Sequence, residues 1–201
     1  MRERYPRSPG GCAAIFGRDP LLGLSNEATV PLAMPNATVA SELERIRELC
    51  TAGRTQEYVA QGRALAAAYP TDVAAQLEAA YACDRHGEEI DAIRYYDAAW
   101  QLGVPGADRR KFLVGYGSTL RNVGRIAESI ELLRAAAAEM PELPAFPAFL
   151  ALALHSAGRH DEAMVAALDA VLRTNAATDT LGGYDRALRH YRDELAGGPS
   201  D

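Results

Sequence analysis

At 201 residues, 48% of them apolar, the chain is long enough to bury one sizeable core, and 21 basic against 27 acidic side chains leave a net charge of −6. That balance excludes nucleic acid as a bulk electrostatic partner, because phosphate binding needs a basic face. No apolar run is long enough to cross a bilayer and no secretory leader is visible. Three cysteines, an odd number without framework spacing, fit a reducing compartment, so a soluble cytoplasmic protein without membrane contact is expected.

In chain order, residues 1–37 form the first region. Pro6, Pro9, Gly10, Gly11, Gly17, Pro20, Gly23, Pro31 and Pro35 interrupt every period there, and a disordered tail is expected. Ser41 followed by Glu44 has the pattern of a reciprocal helix-start cap, with Thr38 as the alternative for a slightly longer helix. Leu43, Ile46 and Leu49 then share one helical face up to Gly53. A second helix runs through Val59 and Leu65 to Tyr69, where Pro70 stops it, and Thr71 or Asp72 caps the next.

From Ala79 to Ala99, two apolar rows at helical spacing meet at Gly87. The turn after Trp100 and Leu102, GVPGAD, is longer than its counterparts, but loop closure costs free energy only logarithmically, so the stack continues through it. Pro144 and Pro147 fit only the first turn of a helix that begins no earlier than about Leu143. Asn175 closes that unit. Asp179 is the expected cap of a last helix whose residues Leu181, Tyr184, Leu188, Tyr191 and Leu195 make the best amphipathic stripe in the chain, with Arg186, Arg189, Arg192 and Asp193 behind it. Gly182 and Gly183 weaken its first turn, so a start at Tyr184 is an alternative.

The glycines at the expected turns, Gly53, Gly87, Gly124 and Gly158, are 34, 37 and 34 residues apart, and Pro70, Pro105 and Pro141 follow half a period later. Small residues recur where helices would touch: Ala80, Ala92 and Ala99, then Gly117, Ser129 and Ala136, then Ala151, Ala163 and Ala170. In the first unit the same places hold Ile46, Tyr58 and Leu65. This pattern resembles the tetratricopeptide repeat. The runs DRHGEEIDAIRYYDAAWQLGVPGADRR, GYGSTLRNVGR and LALALHSAGRHDEA, within residues 73–175, resemble more narrowly its group 5 family.

The resemblance implies an all-α, right-handed α-solenoid of about four helix hairpins over residues 38–178, closed by a capping helix and short tail over 179–201. It also implies a non-enzymatic, cofactor-free scaffold that holds a peptide in its concave groove. The groove-lining places of the repeat fall here on the polar residues Arg47, Thr51, Tyr81, Asp84, Arg85, Lys111, Ser118, Arg121, Asn122, His155 and Ser156. Arg47, Arg85, Lys111 and Arg121 face a single anion, Asp84, in a chain that is negative overall, so an acidic protein or peptide is the expected partner.

Arg121 and Asn122, with Lys111 on the same helix, loosely resemble the carboxylate-clamp layout, although Arg47, Thr51 and Leu43 do not supply its other half. The alternative is that these are solvated helix residues, or that Arg121 pairs with Asp84. No nucleophile–base pair, phosphate loop or metal motif is present. His155 and His160 straddle Gly158 and are expected to hold no metal, and Cys50 and Cys83 read as small buried apolar residues rather than a disulfide. The rival functional reading is a homodimer or larger self-assembly through the Tyr184/Leu188/Tyr191 stripe.

Overall fold

The computed structural model of the chain describes residues 37–178 and 180–197, and every described element is an α-helix or a turn. Four hairpins follow one another: α1 (Ala37–Thr51) with α2 (Thr55–Ala68), α3 (Val73–Arg85) with α4 (Glu89–Leu102), α5 (Gly106–Asn122) with α6 (Ile126–Glu139), and α7 (Ala145–Ser156) with α8 (His160–Thr178). A last helix, α9 (Asp185–Leu195), packs on α8. The expectation of a disordered tail falls on residues outside the described ones, except Ala37, which is helical.

The four hairpin turns are built alike. Gly53, Gly87, Gly124 and Gly158 have φ of 70°, 77°, 86° and 76°, a region that L side chains enter only at a cost. The next residue's N–H then returns to a carbonyl five positions back: Arg54 to Leu49, Glu88 to Cys83, Arg125 to Leu120 and Arg159 to Leu154. This wrap satisfies the open carbonyls at the end of each first helix. In three of the turns the arginine after the glycine pairs with a glutamate three residues on, Arg54 with Glu57, Arg125 with Glu128 and Arg159 with Glu162, which orders the first turn of the second helix.

Between units the chain ends α2 at Ala68, and the Asp72 side chain accepts the N–H of Ala75 at 3.0 Å as the cap of α3. The Gln76 amide reaches back to the Ala66 carbonyl at 3.0 Å, closing the end of α2 from the next unit. The helix joints use the small residues. Ala80, Ala92 and Ala99 are fully buried, and a Cβ on Gly117 would lie 2.7 Å from Leu133. Ser129 donates to the Gly117 carbonyl at 2.6 Å. In the first unit Ile46, Tyr58 and Leu65 are buried in the corresponding places, and Gly62 supplies the closeness instead, against Ala79.

Successive first helices touch, α1 with α3, α3 with α5 and α5 with α7, so they form the inner layer of an α-solenoid. The second helices form the outer layer, where arginines bridge units: Arg63 to Glu88 and Asp91, Arg125 to Asp97 at 2.8 Å and Arg134 to Glu162 at 3.3 Å. Where the longer GVPGAD turn separates α4 from α5, large rings fill the joint. Tyr96, Trp100, Phe112 and Tyr116 lie 5.3–6.1 Å apart, centre to centre, and Phe112 stacks on Trp100.

Three local expectations are corrected. Ser41 does not cap α1, which begins at Ala37, and its hydroxyl bonds the Thr38 carbonyl inside the helix. Asn175 does not end α8, which runs to Thr178; its side-chain oxygen instead receives the N–H of Leu181 at 2.7 Å and shapes the following turn. Gly182 and Gly183 take positive φ, so α9 starts at Asp185 with Tyr184 as its cap, and the proposed cap Asp179 lies outside the described residues. The stripe of α9 is only partly covered, with Leu181 and Leu188 half-buried and Tyr184, Tyr191 and Leu195 exposed. Arg192 of the charged side turns to α8 and pairs with Asp169 at 3.1 Å.

Candidate functional site, the inner helical face

The expected groove residues all fall on inner helices: Arg47 and Thr51 on α1, Tyr81, Asp84 and Arg85 on α3, Lys111, Ser118, Arg121 and Asn122 on α5, His155 and Ser156 on α7. Arg85, Arg121 and His155 each occupy the last turn of their helix, so equivalent turns of α3, α5 and α7 carry a basic or imidazole side chain along one rim. The negative ends of the helix dipoles support cations in that place. Among the described residues, no carboxylate pairs with Arg85, Lys111 or Arg121.

Two contacts join predicted residues directly. The Lys111 ammonium sits 3.7 Å from the centre of the Tyr81 ring, a cation–π contact linking α5 to α3. The Arg121 guanidinium donates to the Asn122 side-chain oxygen at 2.8 Å. The alternative pairing of Arg121 with Asp84 is not formed; Asp84 instead accepts the Tyr96 hydroxyl at 3.1 Å. Burial pushes the Asp84 carboxyl up, against the opposing pull of that hydrogen bond. Ser118 turns back to the Gly115 carbonyl.

Three side-chain polar atoms on the inner helices are buried without a partner among the described residues: the Tyr81 hydroxyl, the Thr119 Oγ1 and the Arg121 Nε. An unmatched buried polar group costs about 1–3 kcal/mol, a penalty that the fold carries at these positions. Burial pushes the Tyr81 phenol up, and Asp108 and Glu78 push it the same way, so it remains protonated and able to donate.

Glu78 is the residue that the sequence pattern missed. Its carboxylate is 5% exposed and accepts from Arg47 Nε at 2.8 Å and from the Tyr58 hydroxyl at 2.8 Å, tying α1, α2 and α3 together. Arg47 is therefore neutralised within the fold, and the unpaired cations of the face reduce to Arg85, Lys111 and Arg121. A signal was present: Glu78 is the single charge in the otherwise apolar and amide run from Val73 to Cys83. Such an acid is retained only if it is matched.

Other features lie elsewhere. A shallow depression of about 340 Å³ is lined by Ile126, Ile130, Arg134, Ala157 and Arg159 against the outer helix α6 and the α7–α8 turn. Cys50 and Cys83 are both free thiols, and Cys83 is buried. No helix among the described residues is long and apolar enough to cross a membrane.

The sequence profile described as Tetratrico peptide repeat matches residues 73–195, more than half of the chain. No curated protein matches it. Among solved structures, MamA 41-end from Desulfovibrio magneticus RS-1 is similar, with a TM-score of 0.56 at 14% identity, over 81% of this chain and 95% of that one. At that identity the likeness concerns the fold.

Proposed function

The chain belongs to the tetratricopeptide repeat family, a family of protein-interaction scaffolds, and from that premise we propose that it holds an acidic peptide segment along its inner face without catalysing a reaction. The observation that carries this reading is the unmatched polar surface between α3 and α5. Lys111, Arg85 and Arg121 have no carboxylate partner among the described residues. A guanidinium offers parallel donors to a carboxylate.

The test is an array of immobilised peptides, acidic and neutral in matched pairs, probed with the wild-type protein and with Arg121→Glu. Preference for the acidic members, lost in Arg121→Glu at unchanged helicity and melting temperature, is the expected result. Equal binding by both proteins removes the inner face from the reading.

One observation favours self-association as a second reading. Tyr184 is 73% and Tyr191 56% exposed on a helix with no buried residue, so an apolar edge remains uncovered at the end of the stack. Sedimentation that shows only monomer at high concentration ends that reading.

A further inference from the structure

The turn between α7 and α8 brings two imidazoles face to face. His155 closes the last turn of α7 and His160 opens α8, with Gly158 between them at φ 76°. Four backbone hydrogen bonds fix the turn: Ala157 to both Ala153 and Leu154, Gly158 to His155 and Arg159 to Leu154, all 3.0–3.1 Å. Both side chains are exposed, their ring centres are 4.9 Å apart with the planes inclined at 53°, and the two Nδ1 atoms stand 3.2 Å from each other. The rings are therefore neither stacked nor apart. They face each other through the same nitrogen, at hydrogen-bond distance.

That separation, which one shared proton bridges as a hydrogen bond, also matches the spacing of two ligands on a divalent transition metal. With metal–nitrogen bonds of about 2.0–2.1 Å, two ligands of a tetrahedral ion are about 3.3 Å apart, and two adjacent ligands of an octahedral ion about 2.9 Å. The observed 3.2 Å lies between the two. Two nitrogens at this distance require either a shared proton or a shared cation, and a neutral imidazole moves its proton to Nε2 when Nδ1 takes up a metal.

The sequence expectation of no metal at this turn did not foresee the approach of the two Nδ1 atoms, and from it we propose that His155 and His160 form a bidentate imidazole clamp for a late first-row divalent transition-metal ion, zinc or nickel in class, at the rim of the inner face. Among the described residues no three histidine, cysteine or carboxylate groups converge on a metal position, so the chain supplies two ligands here and leaves the remaining positions to water or to a donor from a bound molecule. The site therefore binds with moderate affinity and exchanges freely, unlike a closed structural zinc site. Hard cations are rejected, since magnesium and calcium prefer oxygen ligands. This inference is independent of the peptide reading.

The experiment is titration calorimetry of the full chain with zinc chloride, nickel chloride and magnesium chloride, each alone, on wild type, His155→Ala and His160→Ala. One zinc or nickel ion per chain is expected, with no heat from magnesium. Each alanine variant is expected to weaken binding by at least about tenfold, the loss that follows removal even of a group that merely supports a metal ligand. Circular dichroism confirms that the variants fold, which exposed positions outside the core permit. Absence of zinc and nickel binding in wild type overturns the proposal, as does binding that both variants retain in full.

Discussion

The middle of the stack and its C-terminal end use opposite means. At the α4–α5 joint Tyr96 and Phe112 are fully buried within a cluster of rings, whereas α9, with the cleanest apolar stripe in the sequence, has no buried residue at all. Helix α3 shows the reverse: its run of alanines has a weak period, yet Ala75, Gln76, Leu77, Glu78, Ala79, Ala80, Ala82 and Cys83 are all buried. An interior helix of a repeat stack is enclosed by its own partner and by both neighbouring units, so nearly every face is covered and periodicity fades. A terminal helix has one neighbour. Its pattern sharpens as its burial falls.

Substitution breaks that contrast most sharply at Phe112. Phe112→Ala is expected to lose about 3–5 kcal/mol in urea unfolding, while Tyr191→Ala stays within about 0.5 kcal/mol, since one side chain is enclosed and the other faces solvent. Comparable losses at the two positions mean that α9 is as integral to the stack as the middle.

A smaller effect is expected at Gly117→Ala, where the new Cβ meets the branched end of Leu133 at 2.7 Å, costing about 1–3 kcal/mol as α5 and α6 separate. The exposed turn glycines, with nothing within 4 Å, act through φ alone, so a neutral result at Gly117 rules out close approach as the reason for glycine there.

The smallest expected effect depends on pH. Burial raises the Asp84 carboxyl in the folded chain, so as pH rises through the ordinary aspartate value of about 3.9 the unfolded chain loses its proton first and stability falls. Above the folded value the penalty is constant. Asp84→Asn keeps an oxygen for the Tyr96 hydroxyl and removes the charge, so it should raise the melting temperature at neutral pH. That gain disappears below the aspartate range. A gain of equal size at low and neutral pH has another origin.

Periodic features were legible. The four turn glycines, the small joint residues and the prolines at unit ends each follow from a backbone constraint that one residue type satisfies, so spacing alone gave four hairpins and their order. The groove residues came instead from the resemblance to the repeat family, and the structure places them all on first helices of the hairpins. Glu78 was not legible, since its acceptance of Arg47 and Tyr58 joins three helices that no local pattern connects. The charge count of the groove shifted with it.

The sequence by itself determined that the chain folds into helices paired at Gly53, Gly87, Gly124 and Gly158, for this depends on φ restrictions and on a helical period that each segment carries alone. Only the tertiary structure decided which charges remain unmatched, how little of α9 is covered, and that two imidazoles five residues apart meet at 3.2 Å. Those outcomes depend on which side chains the packing of neighbouring helices brings within reach, and that is a property of the assembled stack.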